Sequence, residues 1–98
     1  MSAALITGAG KRLGRAMALY LAGRGYDVAI HYARSGEAAE ATAAEARALG
    51  VRAVTLPGDL LDEAAMAGLV PAAVQALGPL TVLVNNASIF EYDSLQTA

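Results

Sequence analysis

The 98-residue sequence has no cysteine and no tryptophan, a single histidine (His31), a single lysine (Lys11) and a single phenylalanine (Phe90). Without cysteine there is neither a disulfide framework nor a thiolate metal site, and one histidine makes a histidine metal cluster implausible. Charged residues are only 16% of the chain, against roughly 25% in ordinary globular proteins. So little charge suits a sheet covered on both faces. The net charge of −2 gives no electrostatic reason to expect nucleic acid or an anionic membrane as partner. No apolar run is long enough to span a bilayer, and a strand-like pattern from Ala3 leaves no room for a signal peptide, so the expected location is cytoplasmic.

What the chain does have is alternation. Ala3–Thr7, Val28–Tyr32, Ala53–Leu56 and Leu80–Asn85 are short apolar runs without polar alternation, as buried parallel strands require. Between them, Leu13–Ala22, Glu37–Leu49 and Glu63–Leu77 are rich in alanine and leucine, good helix formers. Ser35 and Asp62 are placed to cap the second and third helices at their N-termini, and Gly25, Gly50 and Gly78 fall where C-terminal caps belong. Pro71 should break the third helix in two and push Val70 out of the α region. The alanine-rich residues 38–48 read as an ordinary surface helix. The order β-α-β-α-β-α-β implies right-handed crossovers and a doubly wound parallel sheet of the Rossmann type, an α/β fold. Ligand is expected beyond the carboxyl ends of the strands, around the first and fourth.

Each distinctive loop follows such an end. The first, Thr7-Gly8-Ala9-Gly10-Lys11-Arg12-Leu13-Gly14, is a glycine turn leading into a helix. Unpaired N–H groups and the helix dipole there suit a diphosphate, Gly8 permits a tight turn, and Gly14 permits close helix–strand packing. After the second strand, no Asp or Glu occurs between Asp27 and Glu37 to accept hydrogen bonds from ribose hydroxyls. Arg34 and Ser35 stand there instead, chemistry suited to a 2′-phosphate, with Lys11 able to reach the same group. This favours NADP(H) over NAD; the plain alternative is a solvated arginine and a turn lysine. Asp59 can accept from an adenine amino group or simply make an Asx turn. Asn85-Asn86-Ala87-Ser88 is either a polar turn or a tie between strand ends beside a flat ligand. Phe90 is either core or a stacking partner for that ligand. His31, on an apolar strand, reads as a packed residue rather than a catalyst, and Tyr20 and Tyr26 read as structural.

Together these residues resemble the short-chain dehydrogenase/reductase family, whose fingerprint is T-G-x-x-x-G-x-G, D-[LV] after the third strand and N-N-A-G after the fourth. Thr7, Gly8, Gly14, Asp59, Leu60, Asn85, Asn86 and Ala87 match, over essentially the whole chain. Arg12 stands in place of the middle glycine, and Ser88 replaces the glycine after N-N-A. Both departures are similar to the pteridine reductase branch, with T-G-x-x-K-R-L-G, H-Y-x-R-S and N-N-A-S followed by a nearby phenylalanine. The resemblance implies an NADPH-dependent reductase of a pteridine-like or other carbonyl or imine substrate, often a homo-tetramer. It implies cofactor contacts from Thr7, Gly8, Lys11, Arg12, Leu13, Gly14, Arg34, Ser35, Asp59, Leu60, Asn86 and Ala87. Arg12, Ser88 and Phe90 would face a pterin or folate-like substrate.

The family's catalytic pair is Y-x-x-x-K, and no tyrosine here is followed by lysine four residues later. The expectation is therefore that residues 1–98 are the N-terminal, dinucleotide-binding portion of one Rossmann-type domain, with the acid–base groups elsewhere. A non-catalytic NADP-binding sensor is the alternative of another class. Arg34→Asp in the complete protein is expected to weaken NADPH binding far more than NADH binding in parallel titrations; equal losses would make Arg34 structural.

Overall fold

The structure is a computed structural model and describes residues 2–7, 12–33, 36–59 and 62–85. Its elements are β1 (Ala3–Thr7), α1 (Arg12–Gly23), β2 (Asp27–Tyr32), α2 (Gly36–Ala48), β3 (Ala53–Pro57), α3 (Glu63–Ala67), α4 (Leu69–Leu77) and β4 (Leu80–Asn85). The four strands form one parallel sheet in the order β3-β2-β1-β4. The doubly wound arrangement expected from the sequence is present. Beyond the expected limits, β2 starts one residue earlier, at Asp27, and β3 runs one residue further, to Pro57.

Alternation along the strands divides the core in two. Ala4, Ile6, Val28 and Ile30 pack with Ala18, Leu21 and Ala22 of α1 and with Ala39, Ala43 and Ala46 of α2. On the opposite face, Ala3, Leu5 and Ala29 pack with Leu69, Ala73 and Leu77 of α4. Every residue of β1 is buried, as a strand covered on both faces must be. The buried residues of α2 are Ala39, Thr42, Ala43 and Ala46, a stripe at helical spacing. The surface helix read from its alanine content therefore has a core face, and its small side chains let it lie close to the sheet. Thr42 is fully buried and its hydroxyl donates to the Ala38 carbonyl one turn back (3.0 Å).

Two pieces do replace the expected third helix, but proline is not the divider. The break lies at Gly68, whose N–H donates to the carbonyls of Ala64 and Ala65 and closes α3. Because α4 starts at Leu69, Pro71 sits in its first turn, where an N–H has no partner within the helix and its loss costs nothing. Val70 is helical, contrary to the expected displacement: the crowding of its N–H and Cβ by the proline ring is a preference only, and the helix that Pro71 joins in its first turn overrides it. Asp62 caps α3 as expected, accepting from Ala65 N–H at 3.2 Å. Gly25, Gly50 and Gly78 all take the left-handed φ (92°, 98° and 91°) that their cap positions favour. Ser35 lies outside the described residues. Tyr26 packs against the α1–α2 core, whereas Tyr20 is exposed with the Arg24 guanidinium over its ring, 5.7 Å from the centroid.

The amino edge of the sheet is held by a polar clasp. Buried Asp27, at the start of β2, accepts from Arg52 N–H (2.9 Å) and from its Nε and Nη2 (3.1 and 3.0 Å). The same Nη2 donates to the Leu77 carbonyl at the end of α4 (2.9 Å). One arginine thus joins β2, β3 and α4 where the strands begin. Between β1 and β4 the register slips, with Ala3 opposite Leu80 and Ala4 opposite Val82. The extra residue, Thr81, donates its hydroxyl to the Ala3 carbonyl (3.2 Å).

Burial pushes the Asp27 carboxyl up, but the Arg52 N–H and guanidinium outweigh it and hold the group below the ordinary aspartate value. The stability it adds is present above the unfolded-state pKa, about 3.9, and lost as pH falls through the lower folded value. Asp27→Ala, which leaves the Arg52 N–H without its acceptor, is expected to cost about 1–3 kcal/mol in urea unfolding at neutral pH. That difference from the native chain should shrink below about pH 3.9.

Candidate functional site

Parallel pairing sends all four strands out at one edge. Thr7 is level with Asn85 and Tyr32 with Pro57, so the loops after β1, β2, β3 and β4 leave from neighbouring points. The connection from β1 passes over one face through α1, and the connection into β4 passes over the other through α4. The two part between β1 and β4, leaving a crevice beyond their carboxyl ends.

The N-terminus of α1 faces this crevice. Arg12 opens the helix, is exposed, and is followed by Leu13, which leaves 66% of its surface open despite being apolar. With Ala16 they line an open hollow. Gly14 is buried, as expected for a residue that lets helix and strand approach. The first turn contains no acidic residue, so the positive end of the helix is not neutralised by its own side chains, and Arg12 adds to it. Thr7, buried at the end of β1, donates its hydroxyl to the Val84 carbonyl of β4 at a long 3.4 Å. It thereby helps hold the two strands that border the crevice.

The loops after β2 and β3 are tied to each other. Half-buried Tyr32 lays its ring against Gly36 at the start of α2, so close that a Cβ on Gly36 would stand 3.3 Å from Tyr32 Cε2. Gly58 N–H donates to the Tyr32 carbonyl (3.0 Å). His31, fully buried one residue before Tyr32, donates from Nε2–H to the Gly58 carbonyl (2.8 Å). Asp59 follows immediately and is exposed, and its own carbonyl accepts from Asp62 N–H (3.0 Å).

Of the residues singled out in the sequence, the structure brings Thr7, Arg12, Leu13, Gly14 and Asp59 to the carboxyl edge of the sheet. Gly8, Lys11, Arg34, Ser35, Leu60, Asn86, Ala87, Ser88 and Phe90 lie outside the described residues. His31 is packed, as expected, yet its bond across to the next loop was not anticipated. The available signal was a polar ring in an otherwise apolar strand. Among the described residues no cluster of histidine and acidic side chains could hold a metal ion, and no helix is long and apolar enough to cross a membrane.

The family model for short chain dehydrogenases matches residues 2–98. The chain belongs to the short-chain dehydrogenase family. It is 43% identical over 86 residues to a 3-oxoacyl-[acyl-carrier-protein] reductase of Staphylococcus aureus, covering 88% of this chain and 35% of that protein. It is 44% identical over 85 residues to an L-rhamnose 1-dehydrogenase (NAD(P)(+)) of a Sphingomonas species, 87% of this chain and 34% of the relative. Among solved structures, the FolM alternative dihydrofolate reductase 1 of Brucella canis, complexed with NADP, superposes with a TM-score of 0.83 at 39% identity. That match covers 91% of this chain and 36% of the Brucella chain. The short-chain dehydrogenase chain described here thus spans about a third of the length of these relatives.

Short-chain dehydrogenases use nicotinamide dinucleotides, and the residues present suit one. An anion-binding helix end with an added guanidinium and no nearby carboxylate in its first turn is a fitting seat for a diphosphate. Gly14 is buried in the first turn of that helix, where a side chain would have to find room. Gly14→Val is expected to overpack this position, costing about 1–3 kcal/mol of stability in denaturant unfolding.

Proposed function

We propose that this chain is the dinucleotide-binding portion of an NADPH-dependent reductase that delivers hydride to a pteridine-like substrate or another carbonyl or imine compound. The observation that carries the proposal is the N-terminus of α1, which presents Arg12 and exposed Leu13 at the crossover crevice without an acidic residue in its first turn. In this reading NADPH supplies the hydride. Gly8, Leu13 and Gly14 shape the turn and helix end that receive the diphosphate, and Thr7 holds the strand beneath it. Arg12 neutralises phosphate and reaches the substrate edge. Lys11, Arg34 and Ser35 recognise the 2′-phosphate, a role supported by the lack of any carboxylate between Asp27 and Glu37.

Asp59 and Leu60 border the adenine, with the Asp59 carboxylate accepting from its amino group. Asn86 and Ala87 leave room for the ribose and ring at the end of β4, Ser88 hydrogen-bonds the substrate, and Phe90 stacks on it. The preference for a pterin over other carbonyl compounds rests on Arg12, Ser88 and Phe90 together, and the NADP-bound FolM relative supports it. The 3-oxoacyl reductase and rhamnose dehydrogenase relatives support the wider carbonyl class. The proton donor is assigned to a tyrosine–lysine pair in the remainder of a longer polypeptide, which we also propose to be a cytoplasmic homo-tetramer.

The test is NADPH oxidation by the complete protein, followed at 340 nm against a panel of pterins, 3-oxoacyl compounds and simple ketones. Turnover with pterins above the other classes is the expected result. Turnover with 3-oxoacyl compounds alone would move the substrate assignment. Saturable NADPH binding without turnover on any member would overturn the reductase reading in favour of a sensor.

A further inference from the structure

We infer that His31 is a positioning residue for nucleotide binding, acting through the loop that carries Asp59; the inference rests on the dinucleotide reading above. His31 lies on the same face of the sheet as Ala29, in the layer covered by α4. Here its imidazole is fully buried, and a buried polar ring is costly without hydrogen bonds. It spends one of them on the main chain of another element: Nε2–H to the Gly58 carbonyl at 2.8 Å, between residues 27 apart in sequence. A carbonyl acceptor requires the proton on Nε2, so the contact also sets which ring nitrogen carries it.

Gly58 is therefore gripped on both sides. Its N–H is bound to the Tyr32 carbonyl and its carbonyl to the His31 ring, so both polar groups of this peptide segment answer to β2. The packing is equally close. A Cβ on Gly58 would lie 3.5 Å from both Cδ2 and Nε2 of His31 and 3.7 Å from Leu69 Cδ2, ordinary van der Waals contact with the ring that binds its carbonyl. Immediately beyond, Asp59 begins a turn closed by Asp62 N–H on the Asp59 carbonyl, and Asp62 in turn caps α3. Asp59 is an exposed residue whose backbone is held on both sides, by the bonds to Gly58 before it and by Asp62 N–H on its own carbonyl. Of the two bonds that fix the end before it, the one on the Gly58 carbonyl is the His31 side chain's.

An aliphatic residue at position 31 would fill similar space but release the Gly58 carbonyl, letting the Asp59 backbone rotate away from the adenine. A glutamine places an amide N–H near the position of Nε2 and should keep the bond.

The test is calorimetric titration of the complete native protein and its His31→Leu and His31→Gln variants with NADPH, with 2′,5′-ADP and with reduced nicotinamide mononucleotide. His31→Leu is expected to weaken NADPH and 2′,5′-ADP about 5–20-fold, in keeping with the loss of one buried hydrogen bond. It should leave the mononucleotide unchanged, and His31→Gln should stay within about 3-fold of native for all three. In an Asp59→Ala background the leucine substitution should cost nothing further, because its effect passes through that residue. Equal weakening of both ligand halves, unchanged 2′,5′-ADP affinity in His31→Leu, or a full loss persisting beside Asp59→Ala would overturn the inference while the dinucleotide reading stands. If His31→Leu does not fold, His31→Asn, polar but too short to reach Gly58, takes its place; affinity equal to that of His31→Gln then overturns the inference. A native protein that binds neither NADPH nor 2′,5′-ADP overturns the dinucleotide reading itself.

Discussion

The burial of β1 on both faces is the constraint on which the rest of this molecule depends. A strand covered by α1 on one side and α4 on the other pairs only within the sheet, and its neighbours β2 and β4, each reached through a helix, run parallel to it and end at the same edge. Parallel pairing needs crossovers, and crossovers on opposite faces must part company somewhere. They do so between β1 and β4, which is why a crevice opens there. The small residues of the layers make the arrangement possible. Ala18, Ala22, Ala39, Ala43 and Ala46 keep two helices close to one sheet face, and Gly14 is buried in the first turn of α1 at the crevice itself.

The two ends of the sheet are built by different chemistry. At the amino edge, Asp27 and Arg52 form a clasp that satisfies a buried carboxylate and a helix carbonyl together, a structural task. At the carboxyl edge, Arg12 and Asp59 are exposed, and His31 binds the loop that leads to Asp59. The structural clasp lies at one end and the proposed recognition site at the other. The same strands serve both because their direction is shared.

Much of this was legible in the sequence, for identifiable reasons. Unbroken apolar runs mark β1 to β4 because both faces are buried, and the glycines at 25, 50 and 78 mark helix ends because their φ is positive. Where the reading went astray, local rules were applied without the neighbouring geometry. Proline predicts a break, but Gly68 makes it and leaves Pro71 harmless in a first turn. The surface helix read from alanine content is there, but that content does not say which alanines are buried; the helical spacing of Ala39, Ala43 and Ala46 does. The Asp27–Arg52 clasp and the His31–Gly58 bond join residues 25 and 27 apart, and no periodicity encodes such pairings. They become visible only once β2 and β3 are side by side. Of the candidate site, the placement of Arg12, Leu13, Gly14 and Asp59 at the carboxyl edge was legible because position after a strand carries a physical meaning.

The central claim is that the carboxyl edge of this sheet, and not the amino edge, receives a nicotinamide dinucleotide. An amide chemical-shift titration of the isotopically labelled chain with NADPH tests it most directly. Saturable shifts at Thr7, Arg12, Leu13, Gly14, Gly58 and Asp59, with Asp27, Arg52 and Leu77 silent, are the result this account predicts. Shifts centred on the Asp27–Arg52 end, or none at millimolar NADPH, would contradict it.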